Sequence, residues 1–501
     1  MNKAIFVAVP IVVLGAAAAA IPWYAGSQYE RAVRAQVSEL SRLPQLPLNV
    51  TLVRYSRGWL SSEAVVRFTL KAQPGLFLDL RQQISQWPDP NSGWLRVRSL
   101  PEWSGPVKAA LDYYFDGQPA LSFDSVIGFD ASGKTTVTSP AFNKPSQHDP
   151  AATVSWGGLQ GALLEGADRR WTMHATAPHL QVEGGEAAGG MKTLTFDTKW
   201  GSGGQTEDWQ GETKLALAEL RFSGAREQLE LKDMSWAAYQ RSSGDNVSLG
   251  YAVRVGEGSS AKAGETTNGF SNAVLELEFD QISKKALTSY LEGMRGAQEV
   301  ASTQDHLAGD KMLDLFAELL RGSPVVRLKQ LGVQTPSGAV SAQATVTFDG
   351  RNLTDVRPSP ELLARLQGKG HVDIASGLLR AQLQRKTRPQ VEVALQQQGA
   401  QPNEENIKAL SEKLTEAQLK SLTDNGILRL NGTNFTLEAE LAGGQVLLNG
   451  QPASQVFGGL MGPSLPHQQP IGASRPDPRA ALETPGALSL AQVRSPAPVA
   501  R

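Results

Sequence analysis

From Asn49 onward the dominant pattern of apolar and polar positions has period two. Val66, Phe68 and Leu70 face one way while Arg67, Thr69 and Lys71 face the other, as in a strand with one buried and one wet face. The pattern returns at Leu180 and Val182, Leu194 and Phe196, Leu215 and Leu217, and Leu229 and Leu231. It continues at Leu275, Leu277 and Phe279, at Ala344, Val346 and Phe348, and at Phe435, Leu437 and Leu441. Gly184-Gly185, Gly201-Ser202-Gly203-Gly204 and Ala442-Gly443-Gly444 separate these runs as hairpin turns require. A parallel sheet covered on both faces would need continuous apolar runs instead. Helical spacing interrupts the strands near 283–322, through Leu287, Tyr290, Leu291 and Met294 and then Met312, Leu315, Phe316, Leu319 and Leu320. It returns near 403–425, where Ile407, Leu410, Leu414 and Ala417 form the apolar stripe and Gly426 the stop. The predicted fold is mainly β with some helices (α+β), a long, curved antiparallel meander with helices packed against it, behind one N-terminal transmembrane helix.

The ends read differently. Residues 4–23, AIFVAVPIVVLGAAAAAIPW, carry no charge and have the length of a bilayer-crossing helix. Trp23 and Tyr24 stand where aromatic rings favour the membrane interface. The expected organisation is an anchor over 1–28, a helical stalk over 29–48 ended by Pro44 and Pro47, a β-rich extracytoplasmic domain over 49–461, and a disordered proline-rich tail over 462–501. A cleaved secretory signal, cut near Ala20, is the other reading of the start. Flanking charge does not set the orientation, since Arg31, Arg34 and Arg42 follow the span and Lys3 precedes it. A long following domain is exported largely regardless of such charge. The bulk is therefore expected outside the cytoplasm behind a single membrane pass, in the periplasm if the source is a Gram-negative bacterium.

Composition narrows the chemistry. The 501 residues hold 48 basic and 49 acidic side chains, a net charge of -1, and no cysteine. Near-neutral charge without a basic block argues against nucleic acid as a partner. The lack of cysteine excludes disulfides, zinc-thiolate sites and thiol nucleophiles, and suits an oxidising compartment.

Motifs add little catalysis. Gly128-Phe129-Asp130-Ala131-Ser132-Gly133-Lys134-Thr135 satisfies the phosphate-loop pattern, but a β-branched run ending at Pro140 follows where that chemistry needs a helix. A hairpin turn is the better reading. Ser259-Ser260-Ala261-Lys262 matches a serine nucleophile motif inside a glycine-dense loop, without companion motifs. His174 and His179, five apart, fall on opposite faces of a strand, which argues against a shared metal. No catalytic, cofactor or metal residues are assigned. Arg57, Gly58 and Trp59 are the candidate structural turn or partner contact. Gly58 allows the turn, and Trp59 is expected to plug the end of the core.

The single anchor, the segment Tyr55-Ser56-Arg57-Gly58-Trp59-Leu60-Ser61-Ser62, and the closing Asn425-Gly426 and Gly444-Gln445-Val446-Leu447-Leu448-Asn449-Gly450-Gln451-Pro452 together resemble the YdgA family, a bacterial family defined by a domain of unknown function. The resemblance covers about residues 1–460. It implies inner-membrane anchoring and a periplasmic β-rich domain, and it brings no catalytic residues.

The resulting expectation is a non-enzymatic binding or envelope-maintenance module. It would use a β-sheet surface or hydrophobic groove, with the inner membrane and a lipid or envelope protein as partners. Oligomeric state stays open. The alternative is an envelope hydrolase with a site assembled from distant carboxylates and serines.

Overall fold

A computed structural model describes residues 24–38, 40–41, 48–87, 93–130, 132–168, 170–185, 187–202, 209–225, 227–262, 268–290, 316–353, 360–397 and 403–454. The expected anchor at 4–23, the proline-rich tail, and Leu291, Met294, Met312 and Leu315 of the helical segments lie outside these residues. Among the described residues no helix is long and apolar enough to cross a membrane.

Helix α1 (residues 24–38) leads into β1 (Leu48–Arg57), β2 (Ser61–Leu70), β3 (Gln73–Ser85) and β4 (Leu95–Trp103). Helix α2 (Gly105–Tyr114) connects to β5 (Ser122–Ile127) and β6 (Gly133–Ser139). Strands β7 (Phe142–Pro145), β8 (Thr153–Trp156) and β9 (Leu159–Glu165) follow, with β7 and β8 prolonging the β6–β9 hairpin. The longest strands come next: β10 (Trp171–Glu183), β11 (Ala187–Ser202), β12 (Trp209–Gly224), β13 (Glu227–Ser243), β14 (Asn246–Lys262) and β15 (Asn268–Ser283). Helices α3 (residues 284–290) and α4 (residues 316–321) precede β16 (Val325–Thr335) and β17 (Gly338–Phe348). The chain ends through α5 (Pro360–Ala364), β18 (Leu366–Ala375), α6 (Ser376–Gln397), α7 (Glu404–Asp424), β19 (Arg429–Asn431), β20 (Asn434–Ala442), β21 (Gln445–Leu448) and β22 (Gln451–Pro452).

Every strand pairing is antiparallel, and nearly all join neighbours along the chain, so the predicted meander is present as one open sheet. Its register holds one line of directly opposed residues. The line runs Ala64, Gln82, Ser99, Phe123, Val137, Gly161, Ala175, Phe196, Leu215, Trp236, Val253, Leu275, Leu331, Ala342, Val372 and Leu437. Directly opposed residues share a face, so one apolar face runs from β2 to β20. At about 4.8 Å per strand this is a strip of roughly 70 Å along the hydrogen-bonding direction.

The helices cover that face at its two ends. Val33 of α1 packs on Val50 and Val66, and Ala25 and Tyr29 pack with Ala64, Ile84 and Val97. The segment read as a stalk is therefore docked along β1–β4. Burial pushes the Tyr29 hydroxyl pKa up to about 12. At the other end Leu379 and Leu383 of α6 and Leu419 and Leu422 of α7 close over Phe435, Leu437 and Leu448.

Two helical expectations need correction. The buried stripe of α7 is Ile407, Ser411, Thr415 and Leu419, while Leu410 and Leu414 are exposed. The cause is α6, which was not predicted: its Thr387 hydroxyl lies 3.3 Å from that of Thr415, both fully buried, and this close approach selects small side chains over leucines. Helix α6 escapes a periodicity search because it is largely polar and carries Pro389 internally.

A crease crosses the sheet. Pro178, Thr193, Ala218, Asp233, Gly256 and Asn272 are skipped by the ladder while the register on either side is unchanged. Thr193, Asp233 and Asn272, on alternate strands, have φ of 50°, 52° and 50°. At the same line the apolar spacing lengthens from two to three: Ala177 to Leu180, Met191 to Leu194, Leu217 to Leu220, Leu231 to Met234 and Phe270 to Ala273. A residue near the helical region does not give the half-turn of a pleat, so the extra residue keeps the apolar side chains on one face across the bend.

Candidate functional site: the open apolar face

Between the two helical covers the apolar face of β10–β16 is open. Leu215, Trp236, Val253, Tyr251 and Leu331 are each about 40 % exposed, and Phe222 is half exposed. Beyond the crease a second row continues the surface: Trp156, Leu180, Met191, Leu220, Leu231, Gly258 and Phe270 are successive cross-strand partners. The ring of Phe270 occupies the space over Gly258, where an added Cβ would sit 2.2 Å from Cζ. Together the rows far exceed the scattered apolar side chains of an ordinary surface. Seven strands at about 4.8 Å give an open length of roughly 29 Å, close to the thickness of a bilayer's hydrocarbon core.

The row from Trp156 ends in a cavity of about 760 Å3, within the range of small-ligand sites. Its walls are Ser260, Phe270 and Val333 from the sheet, Pro336 from the β16–β17 turn, and Leu378, Ala381 and Ser411 from the helices. Arg385, Arg388 and Lys408 stand around it with one carboxylate, Glu412. Arg388 is held by Glu404 at 2.7 Å and Glu392 at 3.1 Å. The Ser411 hydroxyl is buried without a hydrogen-bond partner among the described residues.

The opposite face is ionic. Lys192, Glu219, Arg221, Glu230, Lys232 and Glu257 interlock across β11–β14. Further along, Arg327 reaches Glu278 at 2.9 Å and Asp280 at 2.7 Å, while Lys329 and the Tyr239 hydroxyl also bond Glu278. Hydrogen bonds from Ser248 and then Arg327 hold the Asp280 carboxyl down to about 2. Burial pushes Glu278 upward, yet the bonds from Lys329, Tyr239 and Arg327 outweigh it and leave the pKa lowered. Every carboxyl with a clear shift among the described residues moves downward. A general acid for glycoside cleavage needs the reverse.

The motif residues fall as follows. The phosphate-loop motif is the turn from Gly128 to Ser132 and the first residues of β6, Gly133–Thr135, with the Gly128 N–H donating to the Ser132 carbonyl at 2.7 Å and strand rather than helix after it. Ser259–Lys262 lies in strand β14 rather than a loop, and a strand also lacks the helical turn its chemistry needs. His174 contacts Asp197 at 2.7 Å and His179 contacts Ser155 at 3.0 Å. Because the crease passes at Pro178 between them, the alternation argument that set the two histidines on opposite faces loses its premise of an unbroken strand. Among the described residues no three or more His, Asp or Glu gather as metal ligands.

Arg57, Gly58 and Trp59 form the β1–β2 turn. The Gly58 N–H donates to the Ser61 carbonyl at 2.9 Å, and a Cβ there would meet that oxygen at 2.5 Å. Arg57 lies 3.7 Å from Glu30 of α1. Trp59 does not plug the core: it is 59 % exposed. The core is closed here by Gln86 instead, fully buried, whose side chain bonds Ser62 and lies against Gly26 of α1. A sheet surface or groove was expected, but not which strands carry it, because alternation shows which side chains share a face, not whether anything covers it.

No curated protein and no solved structure matches the chain. Residues 1–455 match the family described as bacterial protein of unknown function (DUF945), with which the YdgA resemblance agrees, and the chain belongs to that family.

Proposed function

We propose that this is a membrane-anchored periplasmic protein that holds acyl chains on the open apolar face of β10–β16, without catalysis. One observation carries the reading: a continuous cross-strand apolar row, helix-covered at both ends, is left open in the middle. Burying such a surface against hydrocarbon is favourable at about 25 cal/mol per Å2. An open apolar sheet face offers chains a surface without the directional groups a polar substrate needs. The cations around the cavity give an amphiphile's charged end a place beside the strip.

The test is photo-crosslinking in bacterial cells, with a benzophenone amino acid placed at Leu215, Trp236 or Val253 and, for comparison, at their wet-face neighbours Lys214, Ala237 and Ala252. Lipid-mass adducts at the first three positions and none at the second three are expected. Equal labelling of both sets, or adducts made only to protein, would sink the acyl-chain reading.

A further inference from the structure

We infer that the sheet edge carrying the β1–β2, β3–β4 and β5–β6 turns rests on the bilayer surface and inserts its aromatic tips among the lipid headgroups. The inference rests on the anchored reading above and adds the orientation of the sheet on its membrane.

In an antiparallel meander alternate turns return to the same edge, so the turns after β1, β3 and β5 lie side by side. Hydrogen bonds tie them: the Gln86 N–H donates to the Leu60 carbonyl at 2.8 Å, and the Trp94 N–H to the Ile127 carbonyl at 2.8 Å. Each of these turns exposes large apolar side chains: Trp59 and Leu60 on the first, Trp87 (65 %) on the second and Phe129 (53 %) on the third. Phe129 is held by Trp94, with ring centroids 5.2 Å apart. Next along the same edge the turn after β9, Gly166-Ala167-Asp168, and the turn after β13, Gly244-Asp245, are small and polar, while the more distant connections through α4 and α5 expose Phe316 and Leu363.

What lies beside the apolar tips is the start of α1. The Tyr55 hydroxyl donates to the Gly26 carbonyl at 3.3 Å, and Gly26 abuts Gln86, the residue before Trp87. Tyr24, also exposed, is preceded directly by the uncharged apolar run of residues 4–23. The point where the chain would leave a membrane is thus next to a stretch of edge tipped with tryptophan, leucine and phenylalanine. Amphipathic rings at that depth are the ordinary interface anchors of membrane proteins. The opposite face of α1 is charged, with Arg31 and Arg34 exposed, which suits anionic headgroups.

The absence of cysteine makes the test clean. Single substitutions Trp59→Cys, Trp87→Cys, Phe129→Cys and, on the opposite edge, Gln118→Cys are introduced into the full chain, spin-labelled, and reconstituted into phosphatidylethanolamine–phosphatidylglycerol liposomes. Collision with oxygen relative to a water-soluble nickel complex should be several-fold higher at 59, 87 and 129 than at 118. Four equal, water-like readings on carbonate-resistant protein would overturn the docked edge while leaving the anchor standing. Release of the chain by carbonate would instead refute the anchor, and water-like readings in that same sample would remove the docked edge as well.

Discussion

Asp233 and Gly256 stand opposite each other at the crease of the sheet, so close that a Cβ on Gly256 would lie 2.8 Å from the Cβ of Asp233. Asp233 holds φ of 52°, a conformation that Asp and Asn accept more readily than other side chains. The glycine on β14 therefore makes room for the left-handed residue on β13, and the same division recurs where Thr193 faces Ala218.

Gly256→Ala should destabilise by about 1–3 kcal/mol, the range for overpacking at a fixed site. Thr193→Gly should stabilise by up to about 1 kcal/mol, since a β-branched residue is held there at positive φ. Urea midpoints of the two variants check both signs. A destabilised Thr193→Gly beside a neutral Gly256→Ala would show the line to be relaxed.

In α7, Ile407→Ala should destabilise by about 2–4 kcal/mol, as for a buried aliphatic side chain. Leu410→Ala, one turn away on the exposed side, should stay within about 0.5 kcal/mol. Thermal and urea unfolding of the two would reverse in rank if the leucine stripe were the packed one.

Asn449 closes the C-terminal end of the sheet. Its Oδ1 accepts from the Glu438 N–H at 2.9 Å, and its Nδ2 donates to the carbonyls of Gly426 and Ile427 at 2.9 and 2.8 Å. It also holds φ of 49°. Asn449→Ala removes three bonds in a buried place and should destabilise by about 2–4 kcal/mol. Asn449→Gly relieves the backbone but not the lost bonds, and should recover only part of that in chemical denaturation.

Asp280 gives a pH dependence of known sign. Its folded pKa of about 2 lies below the ordinary 3.8, so the unfolded chain binds the proton more readily. The stabilisation is complete above pH 3.8 and is lost as the pH falls through 2. Asp280→Asn should be less stable than the parent at pH 6, with the difference shrinking between pH 4 and 2. A difference constant with pH would remove the carboxylate from the account.

The strands were legible because a half-wet sheet writes its burial into alternation. Leu215 beside Lys214, and Leu277 between Glu276 and Glu278, need no tertiary information to be placed on opposite faces. The bounds of α7 were legible too: the helix starts behind Asn403, whose side chain accepts from the Glu405 N–H, and Gly426 stops it at φ of 71°. The position of the α7 stripe was not, because Thr387 of α6 selects Thr415 across a helix contact that neither segment encodes alone.

The sequence by itself determined the meander, since short polar turns between alternating strands leave each strand little choice but its neighbour. Only the tertiary structure decided where the apolar face is covered. Ala64 and Trp236 lie in one cross-strand line, yet Ala64 is fully buried beneath α1 and Trp236 is more than a third exposed. Both read alike along the chain because periodicity records which way a side chain points. Whether a helix reaches it depends on where α1, α6 and α7 dock, and on that depends which part of the face is left open for a ligand.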